Sequence, residues 1–163
     1  MEVVVSIFII SLGMVGVASL VNQNIQAQYI NKNVLVASQL AQEGLELVRN
    51  KRDENWLTPG NDWLLGAGAG SASDILQDGT YVIDYTGAID ASVNSIADPG
   101  ARLYLGANNF YTHTSGATST PFSRLITVTD NSPASSTIDC LVSWQDRNGT
   151  YSYKAETVLY DWK

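Results

Sequence analysis

Few side chains in this sequence are able to do chemistry, and their spacing does not combine them. There is one histidine, His113, and one cysteine, Cys140. Neither stands in an H-E-x-x-H, C-x-x-C or G-x-S-x-G arrangement, the spacings that bring a second metal ligand, a second thiol or an activated serine within reach. His113 falls in a segment that reads as a loop, where a lone imidazole is usually just solvated. Asp139 and Asp146 approach a hairpin, but carboxylates on strands more often form a solvated face. Calcium needs several oxygen ligands at a regular alternate spacing, which the acids Asp90, Asp98 and Asp130 lack. The run Gly66-Ala67-Gly68-Ala69-Gly70-Ser71 lacks the G-K-[ST] that completes a phosphate loop. No catalytic residue, cofactor site or metal site is expected, and an enzyme is the least favoured class.

Glu2 is the exception. Its carboxylate stands directly before Val3, Val4, Val5, Ile7, Phe8, Ile9 and Ile10. An ionised group buried among such side chains is costly unless it meets a cation. The sequence offers no Lys or Arg between Glu2 and Lys32.

The element that must carry this carboxylate is an apolar stretch from Val3 to Val21. At a rise of 1.5 Å per residue it spans about 28 Å as a helix, close to the thickness of a bilayer core. In lipid each backbone N–H must be satisfied within the segment, so helix is the one form open to a single span. Gly13 and Gly16 are its weakest points, suited to close helix packing or local melting. A signal peptide needs a basic start, which Met1-Glu2 does not supply.

The helical pattern continues past Asn22-Gln23-Asn24. Ile30, Val34, Ala37, Ala41, Leu45 and Val48 form one stripe, and Ile25, Tyr29, Val36, Leu40 and Leu47 a second, with Asn33 and Gly44 between. The combined arc is wider than a surface helix needs to dock on its own domain. Two partners are therefore expected, the chain's own head and other copies of the chain; a deeply buried core helix is the alternative. Arg49, Lys51 and Arg52 suit a helix C-terminus, and Pro59-Gly60 ends it.

The expected fold class is α+β: a long N-terminal helix over residues 1–53, apolar in 1–21 and amphipathic in 22–53, packed against a small antiparallel β head in 54–163. With 163 residues in all, the head has about 110, enough for one core. The net charge of −7 gives no general attraction to nucleic acid or anionic lipid. With one cysteine no disulfide forms within the chain. Residues 55–78 read as a connector pinned by Trp56, Trp63, Leu64 and Leu65. Strands are expected over 80–86, 102–105, 122–129, 138–144 and 151–160, with Ser/Thr-rich surface loops over 112–120 and 129–137. Asn148-Gly149 favours a two-residue type I′ turn. Pairing outward from it sets Trp144 opposite Tyr153, Val142 opposite Ala155, Cys140 opposite Thr157 and Ile138 opposite Leu159. That register turns Val142, Trp144, Tyr153 and Leu159 toward the helix. The sequon Asn148-Gly149-Thr150 is better explained by the turn.

The segment Met1-Glu2-Val3-Val4-Val5-Ser6-Ile7-Phe8-Ile9-Ile10, with its long amphipathic continuation, resembles the mature N-terminus of type IV pilins and pseudopilins. In that family a prepilin peptidase cleaves after a glycine, and the new terminus usually reads Phe-Thr-Leu-Ile-Glu; Glu2 matches that glutamate. Leu40-Ala41-Gln42-Glu43-Gly44-Leu45-Glu46-Leu47-Val48-Arg49 is similar to a stretch of minor-pilin-like proteins, and Val142 to Asp146 with Glu156 to Lys163 resembles their closing hairpin. Many pilins carry a proline in the apolar helix, where this sequence has Gly13 and Gly16. Many also close a C-terminal disulfide, which Cys140 alone does not provide.

The resemblance implies a subunit held in the cytoplasmic membrane, then extracted by the pilus assembly machinery into a helical filament of its own copies. Residues 3–21 would form the filament core, and Glu2 would meet the N-terminal amine of a neighbour, a residue often methylated in this family. The family's roles are adhesion and motility at the cell surface. A pseudopilin of a type II secretion system and a membrane-anchored extracytoplasmic binding domain are the alternatives.

Overall fold

The computed structural model describes residues 1–59, 63, 78–116, 118–132, 135–146 and 149–161. The architecture is α+β, one long helix α1 (Glu2–Leu57) and a curled antiparallel sheet. The chain forms two compact units, Met1–Leu35 and Val36–Lys163, and α1 contributes to both.

In the first unit α1 runs without a break through Gly13 and Gly16. Two of its serines fold back on the helix. Ser6 Oγ donates to the Glu2 carbonyl and Ser11 Oγ to the Ile7 carbonyl, both at 2.8 Å. These hydroxyls add no unsatisfied polar group to an apolar surface.

In the second unit α1 buries Ala37, Leu40, Ala41, Gly44, Val48, Arg52 and Asn55. This is one narrow stripe of helical period, with small side chains where the sheet comes closest. Ile25, Tyr29 and Val34 of the two expected stripes are exposed. The helix ends at Leu57, so Arg49, Lys51 and Arg52 lie short of its last turn, which holds no basic residue. They pair instead with Glu46, Glu54 and Asp53 respectively.

Among the described residues the sheet has seven strands: β1 (Gly79–Ile83), β2 (Ile89–Asp90), β3 (Arg102–Leu105), β4 (Tyr111–Thr112), β5 (Thr118–Ser132), β6 (Ser135–Asp146) and β7 (Gly149–Tyr160). β5 is its spine. One edge pairs with β6 along most of its length, while the other pairs with β3 near its start and β1 further on. The β3–β5 register shifts between Arg102 and Tyr104, opposite Pro121, which has no N–H to give to a ladder. Thr120 Oγ donates to the Leu103 carbonyl there at 2.6 Å.

The main core joins Ala37, Leu40, Ala41 and Val48 of α1 to Ile126, Val128, Ile138, Cys140, Val142, Trp144 and Leu159 of the sheet. Tyr153 packs on it half-buried. A smaller cluster of Val82, Val93, Ala101 and Leu125 makes up a second core.

Two sequence expectations are corrected. The β6–β7 register is slipped by two residues: Trp144 faces Tyr151, Val142 faces Tyr153, Cys140 faces Ala155 and Ile138 faces Thr157. A slip of two keeps every side chain on its face, so the core residues are unchanged while their partners move. The Trp144 and Tyr151 rings stack at 5.8 Å. Lys154 Nζ lies 3.0 Å from Asp139 and 3.5 Å from Glu156, two acids placed opposite one another. Asp146 pairs with Gly149 rather than leaving it in the turn; Asn148 lies outside the described residues. The second correction concerns the Ser/Thr-rich stretches: Thr112 lies in β4 and residues 118–120 in β5, and the larger departure is in 129–137. This last stretch is strand to Ser132 and again from Ser135, because the long β5–β6 ladder carries its pairing on through Asp130 with Ser136 and Ser132 with Ser135 and overrides the weak local preference of these residues. The expected Gly66–Ser71 run and the anchors Leu64 and Leu65 lie outside the described residues.

Candidate functional site

The surface that composition singled out is the helix of the first unit. Every residue from Met1 to Tyr29 is exposed. Val3, Val4, Ile7, Phe8, Ile9 and Ile10 each keep more than half of their surface open, as does Val5. This stretch is long and apolar enough to cross a membrane. Single exposed apolar residues are ordinary, but a contiguous band marks a surface that meets lipid or protein. Glu2 occupies the first turn of this band and is its one acid. The helix N-terminus, with its unpaired amides, is a favourable place for a carboxylate. An added Cβ at Gly13 or Gly16 would touch nothing within 4 Å, so neither glycine is needed for packing within this chain.

In the second unit most of the sequence-predicted chemical residues are engaged by local partners. Cys140 is buried beneath α1, its thiol pushed up to about 12 by burial. Asp139 is bound to Lys154. Asp90 accepts from the Ser92 amide and Asp98 from the amides of Asn94 and Ser95, each serving its own turn. Among the described residues no group of three His, Cys, Asp or Glu side chains could hold a metal ion. His113 Nδ1 donates to the Gly100 carbonyl at 3.1 Å. Burial, with the charge of Arg124, holds its imidazole down to about 4.

Two features were missed at the level of sequence. Arg124, 1 % exposed, sits mid-strand on the inward face of β5 between Phe122 and Ile126. Its guanidinium donates to the carbonyls of Leu40 and Ile83, and Glu43 stands 3.6 Å away. Arginine at an inward position of an apolar alternation was the available signal.

The second feature joins two hairpin turns. Asp84 to Gly87 turns β1 into β2, with Gly87 in the left-handed region at φ 78°. Gly106 to Phe110 turns β3 into β4, with Asn109 at φ 63°. Asp84, buried at 4 % exposure, accepts from the Thr86 amide and hydroxyl within its own turn and from Thr112 Oγ at 2.7 Å. Burial pushes this carboxyl up, but those hydrogen bonds outweigh it and hold it below the usual range. Asn108 Nδ2 donates to the Tyr85 hydroxyl at 2.9 Å. The Tyr85 and Phe110 rings stack at 5.0 Å.

No protein-family model, curated protein or solved structure matches the chain.

Proposed function

We propose that this chain is a structural subunit that polymerises through α1 into a filament of the type IV pilus kind. The carrying observation is the uncovered apolar band of residues 3–21 with its single carboxylate at Glu2. Before assembly the band rests in the cytoplasmic membrane. After extraction the bands of many copies bundle, and the β heads form the outer surface. A bilayer alone accounts for the apolar length. It gives no reason for a carboxylate set directly against that length. In a monomer Glu2 keeps its water at the membrane interface. In a bundle it needs a cation, and the family resemblance supplies one in the terminal amine of a neighbour.

The test is Glu2→Ala, read by a surface-shear assay beside a blot of the membrane fraction. The expected result is a chain still inserted in the membrane with filament yield reduced at least tenfold. Glu2→Gln should fail in the same way, because it removes the charge and keeps the shape. Normal filament yield from Glu2→Ala would overturn the assembly role and favour a simple membrane-anchored domain. Filaments confined to the periplasm would favour a secretion pseudopilus.

A further inference from the structure

The tied hairpin turns of the second unit border a cleft of about 650 Å³. Its walls include Tyr85, Thr86, Thr112, Thr114, Ser115 and Thr118, and none of its described lining residues is charged. Thr86 and Thr112 spend their hydroxyls on Asp84. Among the described residues no hydrogen bond uses the hydroxyls of Thr114, Ser115 or Thr118. Tyr85 and Phe110 remain 42 % and 55 % exposed although they stack on each other.

We propose that this cleft, with the Tyr85 ring in its wall and Phe110 stacked on that ring, is a binding site for a neutral carbohydrate. A sugar ring has an apolar C–H face and a rim of hydroxyls. The C–H face, slightly positive, lies well on the negative face of an aromatic ring. The rim needs short uncharged donors and acceptors, which the threonine and serine hydroxyls provide. Ligand sites combine apolar walls with a few placed polar groups in this manner. The net charge of −7 and an uncharged lining disfavour an anionic ligand. Rigidity is the further argument. Tyr85 is fixed by its stacked neighbour and by Asn108, and its turn is tied to β4 through Asp84 and Thr112. A ring already held in place loses little freedom on binding. Gly106 is part of this support: a Cβ there would stand 2.8 Å from Asn108 Oδ1.

The experiment uses the full chain, solubilised in a detergent without a sugar headgroup. It is applied to an array of neutral hexose and N-acetylhexosamine oligosaccharides, with sialylated glycans and proline-rich peptides beside them. Wild-type protein should be retained by a subset of the neutral glycans. Tyr85→Ala should weaken that retention at least tenfold. Ser115→Trp, which fills an exposed part of the cleft and removes no side-chain hydrogen bond among the described residues, should do the same with an unchanged circular dichroism spectrum. Retention by no neutral glycan overturns the proposal. So does retention by sialylated glycans or proline-rich peptides alone, or neutral-glycan binding that survives Ser115→Trp. The site lies within the second unit, so its result and that of the Glu2 assay are independent.

Discussion

Arg124 donates from Nη1 to the carbonyl oxygen of Leu40 at 3.1 Å, tying the central strand of the sheet to the helix beneath it. Its Nη2 reaches the Ile83 carbonyl at 2.7 Å, so one guanidinium joins β5, β1 and α1. Removing a buried charge that is this well bonded leaves its acceptors unpaired and a hole behind. Arg124→Ala should destabilise the protein by about 3–5 kcal/mol. Arg124→Lys should recover little, because an ammonium has no planar fork to span two carbonyls. Chemical denaturation followed by tryptophan fluorescence measures both.

Gly44 faces the sheet at its tightest point. A Cβ there would stand 2.7 Å from Cys140 Sγ and 3.2 Å from both Arg124 Cδ and Ile126 Cδ1. In an exposed helix Gly→Ala gains up to about 1 kcal/mol of helix propensity. Here overpacking opposes that gain and wins, since the neighbours are themselves buried. Gly44→Ala should lower stability by about 1–2 kcal/mol net, whereas Gly13→Ala should leave the denaturation midpoint of the second unit unmoved.

Cys140 should not react with iodoacetamide or a disulfide reagent in the native state at pH 8 and should react fully in denaturant. Its thiol is raised from 9.0 to about 12 by burial. The unfolded chain therefore releases this proton first, and stability falls as pH rises from about 9 toward 12. Cys140→Ala should flatten that alkaline limb of the stability profile.

His113 shifts the other way. Its imidazole is held down from 6.5 to about 4, by burial and by the Arg124 charge. The unfolded state takes up the proton first as pH falls, so stability declines between about pH 6.5 and 4. Equilibrium denaturation at pH 7, 5.5 and 4.5 should show this slope, and His113→Asn should reduce it.

The long helix was legible because its signals are periodic and local: an apolar run, then a 3.6-residue repeat at Ala37, Ala41 and Val48. The limits of β3 were legible for a similar reason, with a turn signal before Arg102. The register of the last hairpin was not. Asn148-Gly149 carries the strongest turn preference in the segment, yet tertiary contacts such as the Trp144–Tyr151 stack favour a pairing two residues away. Arg124 was hidden because a charge normally signals solvent, and only the helix carbonyl it meets, 84 positions earlier, makes its burial tolerable. The Tyr85–Phe110 pair and its cleft depend on two turns brought together across the sheet, which no local pattern encodes. Glu2 was conspicuous for the opposite reason, as a charge without local compensation.

The apolar stripe of α1 in the second unit is made before the sheet that covers it. Leu40 and Ala41 precede Cys140 and Val142 by about a hundred residues, which a ribosome working at about 5–20 residues per second adds in on the order of 5–20 s. Through that interval the nascent chain carries the residues of this apolar face with no sheet to receive them. Among the described strands, β6 and β7, which close the core, come after all the others. Vectorial synthesis thus gives this protein a waiting period. A chain truncated before Gly149 would carry the helix stripe together with a β6 edge that lacks its partner β7.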